Sequence, residues 1–135
     1  MKKMASIMII VIIVFSWGIY VLVDSIFPKA GSIKQIEIGM LDSVKIYDDL
    51  NKEIIIEDID LQKIIPYIND AKATRRMSVN DYPSVRPYYV VEIQTIDRIL
   101  RYIIYEENGT AYVEIPYEGV YEMKREVIDI LSSEE

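Results

Sequence analysis

The chain has 135 residues, of which 51% are apolar and 27% are charged, and it contains no Cys and no His. It therefore lacks the residues for a disulfide framework, a thiolate nucleophile, a Ser-His-Asp triad or a His-ligated zinc site. Its 15 basic and 22 acidic residues give a net charge of −7, which argues against binding to nucleic acid.

The strongest signal in the chain is the uncharged segment from Met4 to Val23. A helix of this length spans roughly 30 Å, the thickness of the hydrocarbon core of a bilayer. Lys2 and Lys3 precede it and Asp24 follows it, so the positive-inside rule predicts a cytoplasmic N-terminus and an extracytoplasmic domain. We predict a single-pass protein of the cell membrane, with a cytoplasmic tail (1–3), a transmembrane helix (4–23), a linker (24–32) and an extracytoplasmic α+β domain (33–133).

Two alternatives to an uncleaved anchor remain open. A cleaved signal peptide has a shorter apolar core and a small-residue cleavage site, for which the weak candidate here is Pro28 to Gly31. A buried helix of a soluble protein is rarely so uniformly apolar. From Pro28 onward the chain has 13 basic and 21 acidic residues, a net charge of −8, and is long enough for one small core.

The first half of this domain alternates strand and helix patterns. Alternating apolar residues predict a strand over 33–40, and two short β-rich runs, 44–47 and 53–57, flank a hairpin loop from Asp48 to Lys52. Isoleucines at helical spacing then predict a central helix, capped by Asp58 or Asp60. Pro66 interrupts this pattern, so the helix either begins late, with Pro66 in its first turn, or is kinked there.

The second half predicts hairpin-linked strands and a final helix. Strands are predicted over 88–95, 98–106 and 111–115, with Asn108-Gly109 forming a tight type I′ turn. Residues at helical spacing predict one face of a C-terminal amphipathic helix: Val120, Met123, Val127, Ile130 and Leu131. One central and one C-terminal helix with antiparallel strands indicate an α+β fold.

Two segments carry a family resemblance. Ser78 to Pro83 reads SVNDYP, and Asn108 to Tyr121 reads NGTAYVEIPYEGVY. The chain resembles, over roughly residues 44–131, a family of small uncharacterised proteins of Gram-positive bacteria that share SVNDxP and NGxxYxExPYxGxY motifs. The resemblance implies an N-terminal signal or anchor and a domain of unknown function, and it implies no reaction.

The same two motifs supply the candidate binding surface. Its residues are Ser78, Asn80, Asp81, Tyr112, Tyr117 and Tyr121. Tyrosine rings have a flat apolar face and a polar tip, which suits stacking on a sugar or a peptide. Both motifs also have a purely structural explanation. Ser, Asn and Asp side chains commonly bond backbone in turns, and Pro116 favours a type I turn that begins at Ile115 and packs its tyrosines on the sheet.

Carboxylate chemistry has weaker support. Acidic residues crowd one segment at Asp48, Asp49, Glu57, Asp58 and Asp60. Asp48 with Asn51, and Asp58 with Asp60, supply hard oxygen ligands that could contribute to a weak Ca²⁺ site, but their spacing does not match an EF-hand. Solvated loops and a helix cap are the favoured explanation of these residues, and we assign no metal, cofactor or catalytic residue. We predict a non-catalytic binding or interaction module of the cell envelope, whose partner is another envelope protein or cell-wall glycan. The alternatives are an immunity-type inhibitor of a basic toxin and a carboxylate-dependent hydrolase of wall polymers.

Overall fold

The computed structural model describes residues 2–54 and 58–133, within which three α-helices and seven β-strands form the predicted α+β fold. The helices are α1 (Lys2–Ile26), α2 (Asp58–Asn69) and α3 (Glu126–Ser132). The strands are β1 (Leu41–Tyr47), β2 (Glu53–Ile54), β3 (Lys72–Ala73), β4 (Tyr88–Thr95), β5 (Ile99–Glu107), β6 (Thr110–Ile115) and β7 (Gly119–Met123). The strand pairs among these residues are antiparallel, in the order β2-β1-β4-β5-β6-β7-β3.

The first helix stands apart from the rest of the fold. Its segment Met4–Ile26 has a mean hydropathy of 2.7 and is long and apolar enough to cross a membrane. The side chains of this segment are exposed. At its end, Nη1 of Arg75 donates to the carbonyl oxygen of Phe27 at 2.7 Å and lies 2.7 Å from Oδ1 of Asp24. The helix therefore leaves the domain next to the segment that follows β3.

The centre of the sheet is the meander β4-β5-β6-β7. The predicted tight hairpin is confirmed, because Asn108 and Gly109 have φ angles of 53° and 79°. The predicted alternation is confirmed as well. Tyr89, Val91 and Ile93 share one buried face of β4, and they belong to the same core cluster as the buried residues of α2 and α3.

The hairpin between β1 and β2 is also as predicted. Ile46 pairs with Ile54, and Oδ1 of Asp48 accepts hydrogen bonds from the amides of Leu50 (2.9 Å) and Lys52 (2.7 Å). This carboxylate therefore organises the loop. The remainder of the predicted second strand, 55–57, which includes Glu57, lies outside the described residues.

The central helix α2 begins at Asp58, so Pro66 lies in its interior rather than in its first turn. Proline is tolerated there on the exposed side of the helix, while the opposite side is buried. That buried side carries Ile64, Ile65 and Ile68. The capping side chains predicted at Asp58 and Asp60 lie outside the described side chains.

The predicted strand over 33–40 is wrong. Ile33 and Ile36 are buried, but the segment is irregular and ends in a 3₁₀ turn, Ile38–Met40. Asn69, the last residue of α2, replaces a neighbouring strand. Its Oδ1 accepts from the Ile36 amide at 2.9 Å, and its Nδ2 donates to the Ile36 carbonyl oxygen at 3.0 Å. One side-chain amide thus satisfies the backbone N–H and carbonyl oxygen of Ile36, which a neighbouring strand would otherwise pair.

The predicted C-terminal helix is correct only from Glu126 to Ser132. Val120 and Met123 belong instead to β7, and they point to opposite faces of the sheet. Their three-residue spacing matches a helix by coincidence, because both faces of β7 are covered and apolar residues occur on each. The short strand β3 was not predicted either.

The sheet is covered on both faces. On one face, α2 and α3 pack on a core that includes Ile104, Val113 and Tyr121. On the other face, a smaller cluster consists of Tyr88, Val90, Ile103 and Tyr105, with Tyr47, Val85 and Tyr112 against it. The second face carries the candidate site.

Gly119 allows the segment after α1 to dock on the sheet. A Cβ at Gly119 would lie 2.5 Å from the Cβ of Ala30. The amide of Ala30 also donates to the carbonyl oxygen of Thr74 at 3.3 Å. Glycine is therefore required at this position by the close approach of Ala30 rather than by its φ angle.

The variant Gly119→Ala tests this docking. We expect its free energy of unfolding to fall by about 1–3 kcal/mol, because the segment that carries Ala30 must shift. The double variant Ala30→Gly/Gly119→Ala should recover most of the loss. Urea unfolding of the full chain in detergent, followed by near-UV circular dichroism of its tyrosines, measures both. A fully stable single variant, or a double variant that is no better, would contradict the docking.

Candidate binding site under the covering loop

Residues 74–87 join β3 to β4 and cross the sheet face opposite the helices, and we call this segment the covering loop. It begins as a continuation of β3. The amide of Thr74 donates to the carbonyl oxygen of Val120 at 3.1 Å, and the Val120 amide donates to the carbonyl oxygen of Arg76 at 3.2 Å. The loop then passes over β6 and β5 and packs Val85 on the smaller cluster.

Ser78 joins the covering loop to the sheet. Its Oγ donates to Oε1 of Glu114, on β6, at 2.6 Å, and both side chains are buried. The same Oγ accepts a hydrogen bond from the amide of Tyr117 at 3.2 Å. One hydroxyl therefore connects the SVND motif, the end of β6 and the turn that follows β6.

The turn after β6 differs from the predicted type I turn. The amide of Glu118 donates to the Ile115 carbonyl oxygen at 3.0 Å, but Tyr117 has a φ angle of 64°. A positive φ at the third residue is typical of type II turns, where glycine is preferred. Tyr117 is held there by Ser78 and by Asp81, whose Oδ1 accepts from the Tyr117 hydroxyl at 2.8 Å. The bond to Asp81 raises the pKa of Tyr117.

Further along the covering loop, the ring of Tyr82 contacts the ring of Tyr88 and the guanidinium group of Arg101. Its ring centroid is 5.7 Å from that of Tyr88, and the guanidinium carbon of Arg101 lies 4.7 Å from the Tyr82 centroid. Nη2 of Arg101 also donates to the Tyr82 hydroxyl at 2.5 Å. These contacts fix a partly exposed ring above the sheet.

Arg76 closes the near side of the site. Its Nη1 donates to Oε2 of Glu107 at 2.6 Å, and its guanidinium carbon lies 4.9 Å from the ring centroid of Tyr112. The rings of Tyr112 and Tyr105 are 5.8 Å apart. Arg76 is thus engaged by a carboxylate and an aromatic face.

Between the covering loop and the sheet lies a pocket of about 130 Å³. Tyr105, Glu114 and Val120 line it from the sheet, and Arg76, Asn80 and Tyr82 line it from the loop. It therefore combines a buried carboxylate, an amide and tyrosine rings. Burial raises the pKa of Tyr105 to about 12, so its phenol is neutral and can act as a hydrogen-bond donor at neutral pH.

The structure brings most of the predicted surface together. Asn80 lines the pocket, and Ser78, Asp81 and Tyr117 form the hydrogen-bonded group beside it. Tyr112 lies half-buried under Arg76. The role of these residues in binding stays a prediction.

Tyr121 does not belong with this group. It is 1% exposed and packs in the core on the helix-covered face of the sheet. The prediction that Tyr121 is part of a binding surface is therefore wrong. Its ring points away from the pocket because β7 alternates, and it is its neighbour Val120 that lines the pocket.

Of the residues that line the pocket, Asn80 alone was predicted as a site residue, and the charged and aromatic ones that were missed are Arg76, Tyr82, Tyr105 and Glu114. The signal for Glu114 was present, because it is a carboxylate between the apolar residues Val113 and Ile115 of a strand. The hairpin register then places Tyr105 opposite Tyr112, and Ile103 opposite Glu114, on one face. Arg76 and Tyr82 depend on the path of the covering loop, which periodicity does not specify.

Comparison with known proteins supports the expected kinship. Residues 23–122 match the family model DUF5301, described as "Domain of unknown function (DUF5300)". An NMR structure of a protein from Ruminococcus gnavus is similar, with a TM-score of 0.54 and 34% sequence identity, covering 68% of this chain and 91% of that chain. No curated protein matches the chain. The predicted membership of a family of unknown function is confirmed.

The raised pKa of Tyr105 predicts a loss of stability at alkaline pH. A phenol titrates near pH 10 in an unfolded chain, whereas burial raises the pKa of Tyr105 to about 12. The folded state therefore holds this proton more tightly, and stability is lost as the pH rises from 10 towards 12. Urea unfolding at several pH values should show a shallower decline for Tyr105→Phe than for the wild type. Tyr20→Phe, which changes an exposed ring of α1, is the control, and an unchanged slope in Tyr105→Phe would contradict the prediction.

Proposed function

The chain belongs to the DUF5301 family, a family of unknown function, and we propose that it is a membrane-anchored, non-catalytic binding module of the cell envelope. The observation that carries the proposal is the pocket under the covering loop, built by the contacts of Ser78 with Glu114 and Tyr117. Polar and aromatic groups converge there on a stable sheet, as they do in binding sites.

The proposed topology rests on α1 and its flanking charges. The helix is long and apolar enough to span a membrane, with Lys2 and Lys3 before it and Asp24 after it. The N-terminus is then cytoplasmic and the domain extracytoplasmic. In this arrangement 1–3 form the tail, 4–23 the span, 24–32 the linker and 33–133 the domain. Arg75 contacts the end of α1, and Arg76 lines the pocket, so the pocket lies close to the membrane surface.

Binding explains the pocket better than hydrolysis does. Hydrolysis of a glycosidic bond requires two carboxyl groups on either side of the scissile bond. The described lining of the pocket has one carboxylate, that of Glu114, which accepts a hydrogen bond from Ser78. The exposed Tyr117 and the partly exposed Tyr82 provide flat rings beside the opening. We propose an envelope protein or cell-wall glycan of a Gram-positive bacterium as the partner, and the two sequence motifs as the signature of the site.

A second candidate, an immunity-type inhibitor of a basic toxin, is favoured by charge. The chain from Pro28 onward carries 13 basic and 21 acidic residues. Complementary charge accelerates association with a basic partner and makes the association sensitive to salt. This candidate predicts that binding weakens sharply at high ionic strength.

Single-cysteine variants test topology and binding together, because the native chain has no Cys. Val79→Cys places a thiol on the exposed covering loop, Asp129→Cys on the exposed side of α3, and Lys3→Cys before the span. A membrane-impermeant maleimide with a photoreactive group is added to intact cells. We expect labelling at Val79→Cys and Asp129→Cys but not at Lys3→Cys, because the domain lies outside.

Illumination then reports the partner. We expect one reproducible crosslinked species from Val79→Cys and none from Asp129→Cys, since the pocket lies under the covering loop. Mass spectrometry identifies the species, and repetition at high salt tests the inhibitor alternative. Labelling of Lys3→Cys alone would overturn the topology. Equal crosslinking from both domain positions, or none from either, would overturn the binding proposal.

A further inference from the structure

Glu114 is unusual among the pocket residues because it is a buried carboxylate. Its side chain is buried, with the residue 6% exposed, and it lines the pocket under the covering loop. Its Oε1 accepts one hydrogen bond, from Oγ of Ser78 at 2.6 Å. Burial of a carboxylate is unfavourable unless its charge is compensated.

Glu114 takes part in none of the ion pairs seen among the described residues. The ion pairs among residues 2–54 and 58–133 involve other carboxylates. Arg76 also lines the pocket, but it pairs with Glu107 at 2.6 Å and stacks on Tyr112. A hydroxyl partner orients a carboxylate without neutralising it, so Glu114 has the character of an acceptor for an incoming cation.

The size of the pocket limits what enters it. Its volume of about 130 Å³ is several times the roughly 10–15 Å³ that one water needs on the same measure. It therefore admits a group larger than a water, such as the end of an alkyl chain. Glu114 is the one carboxylate in the described lining, whereas Ca²⁺ takes several oxygen ligands, so a monovalent organic cation fits better.

The rest of the lining suits an ammonium group on an alkyl stem. Tyr105 provides aromatic surface, which attracts cations and packs on methylene groups, and the Tyr82 ring, which already carries the Arg101 guanidinium, borders the pocket. The Asn80 side chain has a carbonyl oxygen that can accept an ammonium proton. The net negative charge of the domain as a whole favours the long-range approach of a positive charge.

We propose that the pocket binds a primary alkylammonium group, the end of a lysine side chain of a partner polypeptide. This rests on the proposed function and names the chemistry of the same site. A lysine stem has four carbons and can reach a carboxylate buried beneath the covering loop. An amino sugar carries its nitrogen directly on a ring, so its ammonium group reaches less deeply than the end of a lysine stem does.

The test is a ¹H–¹⁵N NMR titration of the full chain in detergent micelles at neutral pH, with n-butylammonium as the probe. We expect saturable shifts of the Asn80, Tyr82 and Glu114 amides. n-Butanol and butyrate, which lack the positive charge, should give no saturable shift. Saturation by either one at the same concentrations, or no saturation by n-butylammonium, would overturn the proposal. Tighter binding of glucosamine than of n-butylammonium would overturn it in favour of a glycan.

Two charge-removing variants localise the effect. Glu114→Gln should weaken n-butylammonium binding by roughly tenfold or more, because a charge-assisted hydrogen bond is lost. Glu118→Gln, which removes an exposed carboxylate on the neighbouring turn, should change it by less than about twofold. Equal weakening by both variants would assign the effect to the general acidic field. If Glu114→Gln does not fold, the comparison of n-butylammonium with n-butanol and butyrate on the wild type still tests whether the pocket binds an ammonium group.

Failure of this proposal is distinguishable from failure of the proposed function. Crosslinking from Val79→Cys without saturation by n-butylammonium means that a partner binds through other chemistry. Saturation without crosslinking means that the pocket accepts ammonium groups but that the module has no partner in those cells.

Discussion

The hydroxyl of Ser78 is the contact on which the candidate site depends. It donates to a buried carboxylate and accepts from a backbone amide, so it fixes the covering loop to β6 and to the turn after β6. Without it, Glu114 would lose its hydrogen bond, and Tyr117 would lose one of the two contacts that hold its positive φ angle. A conformation that costs free energy persists only where its surroundings impose it, and such positions concentrate at functional sites.

The same contact fixes the loop that covers the second face of the sheet. Helices α2 and α3 cover one side, which leaves the tyrosine-rich cluster around Tyr105 to be covered by residues 74–87. A loop covers a sheet less completely than a helix does and brings polar side chains and backbone with it. The result is a polar pocket over an apolar platform, close to the point where α1 leaves the domain.

The features that were predictable are those encoded locally. The alternation in β4, the Asn108-Gly109 turn and the spacing of isoleucines in α2 each determine their element through nearby residues. The prediction of a strand over 33–40 was wrong because the side chain of Asn69, far along the chain, takes the place of a neighbouring strand. The prediction of Tyr121 as a binding-surface residue was wrong because a sequence motif does not specify which face of β7 each of its residues occupies. The SVND and PYEG motifs do meet in space, but Glu114, which joins them, became identifiable only once the β5–β6 register was known.

The most direct test of this account is hydrogen exchange at the backbone amide of Tyr117. The structure predicts that this amide is protected, because it donates to Oγ of Ser78. Ser78→Ala should accelerate its exchange by roughly tenfold or more, as expected for the loss of a partly buried hydrogen bond. Ser84→Ala, an exposed change on the same covering loop, should leave it unaltered. Fast exchange in the wild type, or full protection in Ser78→Ala, would contradict the central role of this hydroxyl.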